Sequence, residues 1–264
     1  MPVLDGRELQ MSIKTTNQWI TIFDPSPSAR LRLFCFPFAG GAAVAFRNWS
    51  KDLSREVEVC PVQLPGRGTR LREACFTRVQ PLVETMAQGL LPYLDRPFAF
   101  FGHSFGAFVS FELTRYLRRH HKKQPLHLFV SGCRAPQLPN PNPDRYNLPD
   151  PVLASLLGQF EGTPREILEQ PEIMALMLPI LRADFEAHET YRCLDEPPLN
   201  CPISAYGGTN DPEVSLVQLE GWREQTSAAF SFQLFHGGHF FINSCQPLVL
   251  RALWTELRQL LAKS

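Results

Sequence analysis

Short apolar runs alternate with longer segments of helical periodicity along most of the chain. Apolar runs of a few residues bounded by turn residues are typical of buried strands, whereas apolar residues recurring every three or four positions indicate helices. The order strand, helix, strand, helix predicts an α/β fold with a mostly parallel central sheet flanked by helices. The predicted strands are 31–36, 57–64, 98–101, 126–131, 203–206 and 230–235, and the predicted helices are 43–54, 79–92, 105–120, 215–226 and 246–262.

The alternation stops between Arg134 and Leu199, where a proline-rich segment leads into three helical patterns with no strand between them. We interpret residues of about 145–195 as a helical insertion within a single domain of 264 residues. One insertion helix begins at "TPRE", residues 163–166, which combines a capping box with proline at the first helical position. An apolar stripe at helical spacing follows it: Ile173, Leu176, Met177, Ile180 and Leu181.

Two interpretations of this stripe are open. It packs against the core, or it forms the underside of a lid that covers a substrate channel above the sheet. A long insertion between sheet strands on the ligand-binding side favours the lid. The side chains that we expect to line or gate the channel are Leu156, Phe160, Met177 and Leu181.

The segment "GHSFG", residues 102–106, fits the G-x-S-x-G pattern of a serine nucleophile on a strained strand-to-helix turn. Five-residue patterns arise by chance in long chains, so the context decides. Here an apolar run suited to a buried strand precedes the pattern, and an apolar segment suited to a buried helix follows it. The sequence therefore predicts that Ser104 is a nucleophile, whereas the adjacent His103 is expected to support the turn.

A serine hydroxyl needs a base to take its proton and an acid to orient that base. In α/β-hydrolases the acid and then the histidine follow the nucleophile, on loops after later strands. Asp211 follows the fifth predicted strand and His239 follows the sixth, each beside a pair of glycines. His236 is a rival base at the strand end, and Asp184 and Asp195 are rival acids within or at the edge of the insertion.

The negative charge that develops on a carbonyl oxygen needs preorganised donors, usually the amide after the nucleophile and one from an early loop. Phe105 supplies the first amide. The loop "CFPFAGGAAVAF", residues 35–46, supplies the second, with Ala39 preferred and Phe38 next. A nucleotide-binding loop is the alternative, but "AGGA" matches neither G-x-G-x-x-G nor a loop ending in G-K-[ST].

Lysine plus arginine equal aspartate plus glutamate at 26 each, so the overall charge favours neither nucleic acid nor an anionic membrane as a partner. The dense basic run "RYLRRHHKK", residues 115–123, ends a predicted helix, where cations complement the helix dipole. We expect this run to be a solvated helix terminus, with a docking patch for an acidic partner as the alternative.

Seven cysteines without C-x-x-C spacing disfavour both a disulfide framework and a zinc site, and they are expected to be small apolar core residues. Charged residues stand near the start, where a signal peptide needs an apolar run, and no segment is long and apolar enough for a membrane span. We therefore expect a cytoplasmic protein whose residues 1–17 are poorly ordered.

Seven blocks together resemble the type II thioesterases, discrete α/β-hydrolases that serve polyketide synthases, non-ribosomal peptide synthetases and fatty acid synthases. The blocks are "FCFPFAGG", "QLPGRGTR", "FFGHSFGA", "FEGTPREIL", "LPILRADFEAHETY", "GGTNDPEV" and "GGHFF". The resemblance spans residues of about 18–262. It implies a Ser104, Asp211 and His239 triad, amide donors from Phe105 and Ala39, and a mobile helical lid.

The resemblance also implies the reaction, which is hydrolysis of acyl groups from the phosphopantetheine arm of an acyl or peptidyl carrier protein. This activity clears stalled or wrongly loaded chains from a synthase and needs no cofactor or metal. We expect a monomer that binds neither nucleic acid nor membrane. A carboxylesterase or transacylase with the same triad is one rival, and a non-catalytic binding protein of the same fold is another.

Overall fold

The computed structural model describes residues 18–141, 144–159 and 165–263. Three predictions fall outside these ranges: the poor order of residues 1–17, the channel role of Phe160 and the helix cap that begins at Thr163. Within the described ranges, no helix combines the length and the apolar character that a membrane crossing requires.

The described chain forms one six-stranded sheet. Its strands are β1 Leu31–Phe36, β2 Val57–Pro61, β3 Phe98–His103, β4 Leu128–Ser131, β5 Ile203–Gly208 and β6 Phe230–Phe235. Their spatial order is β2-β1-β3-β4-β5-β6, and every neighbouring pair runs parallel. Strands β1 to β5 are buried throughout because helices cover both faces, which explains their nearly continuous apolar runs. Strand β6 lies at the edge and is largely exposed.

The helices are α1 Trp49–Asp52, α2 Val79–Leu90, α3 Phe105–His121, α4 Asp150–Gln159, α5 Arg165–Leu168, α6 Pro171–Glu189, α7 Leu216–Glu220, α8 Phe241–Ser244 and α9 Gln246–Lys263. One core cluster joins the sheet to α2 and α3, and a second joins its other face to α1, α8 and α9. The α/β prediction, with a helical insertion after β4, is therefore confirmed. Two predicted helices are shorter than expected, since 43–54 and 215–226 each divide into an α-helix and a 3₁₀ turn.

The insertion helices α4, α5 and α6 share an apolar cluster of their own. Its buried members are Leu153, Leu157, Met174, Leu178 and Leu181. Leu176, which the periodicity assigns to the buried stripe, is instead 59% exposed. It lies two residues from both Met174 and Leu178, which is about 200° around the helix, so it faces away from the cluster.

The basic run at the end of α3 differs from its predicted solvated state. Arg115 is 2% exposed and forms ion pairs with Glu112 at 2.9 Å and with Glu196 at 2.9 Å. Arg118 and Arg119 also pair with Glu196. The prediction is wrong for Arg115, because the chain that leaves the insertion returns over α3 and covers this guanidinium.

Candidate active site

Ser104 lies in the turn between β3 and α3, at the carboxyl edge of the sheet, with φ 53° and ψ −119°. A positive φ is strained for a residue with a Cβ and is tolerated where the surroundings enforce it. Here they do. A Cβ on Gly102 would lie 2.2 Å from the Gly106 carbonyl oxygen, and a Cβ on Gly106 would lie 2.2 Å from the Phe36 carbonyl oxygen. Close backbone packing on both sides of the turn therefore requires the two glycines of the motif. This packing places Ser104 at the carboxyl edge of the sheet.

His103 lies beneath this turn and is fully buried. Its Nδ1 is 2.9 Å from the Ser131 hydroxyl, and the Ser104 amide donates to the Ser131 carbonyl at 2.7 Å. Burial, together with the nearby charge of His239, holds the pKa of His103 well below its ordinary value. A buried neutral ring in this position supports the turn rather than exchanging protons with substrate.

Asp211 and His239 meet across neighbouring loops. Asp211 follows β5 and His239 follows β6, and the loops are joined where the Asn210 amide donates to the Gly237 carbonyl at 2.9 Å. The His239 Nδ1 is 2.9 Å from Asp211 Oδ2, while Asp211 Oδ1 accepts from the Glu213 amide at 2.8 Å. The aspartate side chain is completely buried. This is the arrangement in which a carboxylate orients an imidazole and selects its tautomer.

The rival residues have other environments. His236 is exposed at the end of β6, and Asp195 is exposed in the chain that follows the insertion. Asp184 is buried, but both of its carboxylate oxygens accept from the guanidinium of Arg67. The structure thus brings together Asp211 and His239 as an acid and base pair.

Ser104 and His239 line the same cavity, whose volume is about 360 Å³. The insertion helices supply five apolar side chains of its wall: Leu157, Ile173, Met177, Leu181 and Phe185. Met177 and Leu181 are thus placed where the lid interpretation expects them. Leu156 is not a lining residue in the described part of the chain, since it packs on the insertion cluster and its neighbour Leu157 faces the cavity.

The backbone amides near the cavity narrow the choice of oxyanion donors. Phe105 is the first residue of α3, where an amide has no acceptor within the helix. In the early loop, the Gly40 amide donates to Asp184 at 2.7 Å and the Gly41 amide donates to the Phe38 carbonyl at 2.8 Å. These two are engaged, and the two predicted donors of the loop, Ala39 and Phe38, both line the cavity.

Sequence reasoning missed several polar residues of the cavity wall, among them His188 and Glu189 at the end of α6. Burial lowers the pKa of His188 to about 3, so its ring is neutral near pH 7, and its Nε2 has no hydrogen-bond partner among the described residues. Burial raises the pKa of Glu189 to about 7. Met177, Leu181, Phe185 and Glu189 follow one another at intervals of four residues. Extending the apolar stripe by the same interval would therefore have predicted that Glu189 faces the cavity.

Comparisons with known proteins identify the family of this chain. The model of the thioesterase domain family matches residues 31–256. The gramicidin S biosynthesis protein GrsT of Aneurinibacillus migulanus is 43% identical over 250 residues, which cover 95% of this chain and 98% of that protein.

Two solved structures are similar throughout the fold. RedJ, a thioesterase of the prodiginine pathway in Streptomyces coelicolor, superposes with a TM-score of 0.83 at 40% identity and covers 88% of this chain and 87% of its own. YbtT, a type II thioesterase from the yersiniabactin NRPS/PKS pathway, has a TM-score of 0.79 at 29% identity, with 92% and 97% of the two chains covered. With its α/β-hydrolase architecture and a family match that spans the sheet from its first strand to its last, this chain belongs to the thioesterase family.

Proposed function

We propose that this protein hydrolyses acyl or peptidyl thioesters on the phosphopantetheine arm of carrier proteins, as an editing thioesterase of a polyketide or non-ribosomal peptide synthase. The observation that carries the proposal is the cavity in which a strained serine and a carboxylate-bound histidine share one wall while the lid supplies the other. Its volume lies within the range of small-molecule sites. An apolar wall suits an acyl chain.

In the proposed mechanism, the Nδ1–H of His239 donates to Asp211, so Nε2 is the nitrogen that accepts a proton. Nε2 takes the hydroxyl proton of Ser104 as the serine oxygen attacks the thioester carbonyl. The tetrahedral intermediate collapses, the carbon–sulfur bond breaks, and the imidazolium returns the proton to the departing thiolate. Water then attacks the acyl-enzyme with His239 again as base, which releases the carboxylic acid and restores the serine.

The oxyanion of both tetrahedral intermediates is assigned to the amides of Phe105 and Ala39. Both belong to backbone segments that the fold holds rigid, one at a helix N-terminus and one in a hydrogen-bonded turn. Donors that are already oriented need no reorganisation when charge develops, and losing one such donor costs about 10²–10³-fold in kcat. Together with the triad they supply the chemistry without a metal or a cofactor.

The editing role and the carrier-protein partner rest on similarity. RedJ and YbtT are described as thioesterases of biosynthetic pathways, and YbtT as a type II thioesterase. Identity of 43% with GrsT over nearly the whole of both chains supports a role of the same kind. We include in the proposal that the protein acts as a monomer in the cytoplasm.

The experiment compares hydrolysis of an acyl group carried by a phosphopantetheinylated carrier protein with hydrolysis of a p-nitrophenyl ester of the same acyl group. The proposal predicts a kcat/KM at least tenfold higher for the carrier-bound substrate. Equal or higher efficiency on the ester would support a carboxylesterase instead. Transfer of the acyl group to an added thiol or alcohol in preference to water would indicate a transacylase. Absence of both hydrolysis and fluorophosphonate labelling would indicate a non-catalytic protein.

A further inference from the structure

Asp184 connects the lid helix to the loop that carries the proposed oxyanion donor. It lies on α6 and is 2% exposed. Its Oδ2 accepts from the Gly40 amide at 2.7 Å, and its two oxygens accept from Arg67 at 2.5 and 2.8 Å. The sequence offered Asp184 as a rival for the catalytic acid. The structure gives its carboxylate different neighbours and therefore a different task.

Arg67 holds this carboxylate from the other side. It is 4% exposed, and besides the bidentate pair it donates to the Gly41 carbonyl at 3.4 Å. Although burial disfavours its charge, the carboxylate of Asp184 keeps the pKa of Arg67 above its ordinary value. A fully charged, forked guanidinium fixes the orientation of the carboxylate plane. The carboxylate has little freedom to turn away from Gly40.

The loop itself is a β-turn from Phe38 to Gly41, closed by the Gly41 amide on the Phe38 carbonyl at 2.8 Å. Gly40 at its third position has φ 74°, which is the value of a type II turn. Types I and II differ by a flip of the central peptide, here the Ala39 carbonyl and the Gly40 amide. A carboxylate facing that peptide attracts its N–H and repels its carbonyl oxygen. Asp184 therefore selects the type II form.

The direction of the Ala39 amide follows from the same turn. Its N–H shares a trans peptide with the Phe38 carbonyl, which points toward Gly41, so the N–H points to the opposite side. Leu181, one turn before Asp184 on α6, packs on Gly40 so closely that a Cβ there would lie 2.7 Å from Leu181 Cδ2. The lid helix thus contacts the turn through both an ionic and an apolar side chain.

From these contacts we propose that Asp184, held by Arg67, is a positioning residue for the oxyanion hole. It fixes the position of the turn that presents the Ala39 amide to the reacting carbonyl, and it makes the hole dependent on the position of the lid helix. The proposal rests on the oxyanion assignment made above. It predicts that Asp184 affects stabilisation of the oxyanion more than binding of the substrate ground state.

The test is Asp184→Asn, with Glu58→Gln as the matched control. Glu58 also forms a buried pair with an arginine, Arg32 at 2.8 Å, but on β2 and away from the cavity. Asparagine replaces one acceptor oxygen with an NH2 donor, so at least one of the three hydrogen bonds that Gly40 and Arg67 donate to the carboxylate is lost. We expect kcat to fall about 5–50-fold, less than for the loss of a whole donor, with KM within about threefold. Affinity for an acyl trifluoromethyl ketone, whose adduct with serine is an oxyanion, should fall by the same factor as kcat.

The control variant should lower the melting temperature and leave kcat and ketone affinity within twofold, because it removes only a structural ion pair. If folded Asp184→Asn behaves in the same way, the positioning role is overturned. Should Asp184→Asn not fold, Arg67→Lys decides: the ammonium keeps the charge but not the fork, so kcat and ketone affinity should fall together by about 2–10-fold. Wild-type values in that variant would also overturn the proposal.

The same measurements separate this proposal from the proposed function. Wild-type protein that neither hydrolyses the carrier-bound thioester nor binds the ketone would remove both proposals. Wild-type protein that does both, beside variants that match it, would remove only the positioning role of Asp184.

Discussion

The carboxyl edge of the sheet and the helical insertion are built on different principles. At the sheet edge, Ser104 sits on a strained turn whose two motif glycines have no space for a Cβ, and the Asp211 side chain is completely buried. In the insertion, three helices share a small cluster, and several apolar side chains are exposed, with Leu176 at 59% and Val152 at 49%. In the proposed function, the sheet edge holds the reacting atoms and the insertion forms a wall for acyl chains of different lengths.

Helix α6 belongs to both regions. Its first half packs on α4 and α5 through Met174 and Leu178. Its second half contacts the turn at residues 38–41, which we call the oxyanion loop, through Leu181 and Asp184. Ala187 in this half is fully buried in the core cluster that joins the sheet to α2 and α3. If the lid moves, the motion is therefore expected in α4, α5 and the start of α6, since displacement of the second half would remove the acceptor of the Gly40 amide.

Replacing Ser104 by alanine should have the largest effect on activity, because the covalent step loses its nucleophile. We expect kcat/KM for a carrier-bound thioester to fall on the order of 10³-fold or more. Labelling by a fluorophosphonate should disappear, as measured by intact mass. The melting temperature should stay within a few degrees of wild type, since one hydroxyl is removed and the strained backbone remains. A folded variant with most of its activity would exclude the covalent mechanism.

Replacing His239 by alanine should be nearly as damaging, with a loss of about 10³-fold in kcat. His236→Ala is the matched control, three residues earlier and exposed, and it should stay within about twofold of wild type. The measurement is steady-state hydrolysis by both variants after their folding is checked by circular dichroism. The reverse ranking would mean that His236 is the base and that the Asp211 and His239 pair is structural.

The lid is tested by two methionines on one helix. Met177 lines the cavity, whereas Met174 is 6% exposed within the insertion cluster. Met177→Ala should shift preference toward longer acyl chains by several-fold per carbon, since each buried methylene is worth about 0.8 kcal/mol. Met174→Ala should instead lower the free energy of unfolding by about 2–5 kcal/mol without changing the preference.

Acyl-length profiles and melting temperatures of both variants are measured together. Strong destabilisation of Met177→Ala with an unchanged acyl-length profile would mean that Met177 belongs to ordinary core packing and not to a channel wall. Leu181→Ala is a less direct test than Met177→Ala, because Leu181 also packs on Gly40 in the oxyanion loop.

The smallest expected effect concerns Glu189, where the lid helix ends beside the cavity. Its pKa is raised from 4.5 to about 7 by burial, so between these values the folded protein binds more protons than the unfolded chain. Stability from this group is complete below pH 4.5 and falls as the pH rises to 7. Glu189→Gln keeps an acceptor for the Tyr146 amide and removes the ionisation.

The variant should therefore gain stability over wild type at pH 8 relative to pH 5, on the order of 1–3 kcal/mol. Thermal melts at the two pH values measure this difference. Glu172→Gln, at an exposed site near the start of the same helix, should alter the melting temperature little at either pH. A Glu189→Gln difference that does not change with pH would mean that this carboxyl ionises without a burial penalty.

The sequence by itself determined the elements whose signals are local. Strand β1 begins and ends where its apolar run does, because burial of both faces of a strand leaves a run of consecutive apolar residues. The turn at Ser104 could be predicted from the sequence because the glycines that it needs are only two positions away on either side. Asp211 and His239 were proposed from chain order, and their contact at 2.9 Å agrees with that proposal.

Only the tertiary structure decided the features that depend on distant partners. Arg67 and Asp184 are 117 positions apart, and nothing near either residue indicates that they pair or that the Gly40 amide donates to the same carboxylate. Burial of Arg115 depends on Glu196 in the same way, and a rotation of about 100° around α4 decides whether Leu156 or Leu157 faces the cavity. Periodicity reports that a helix has a buried face, but which neighbour covers that face depends on how the whole chain packs.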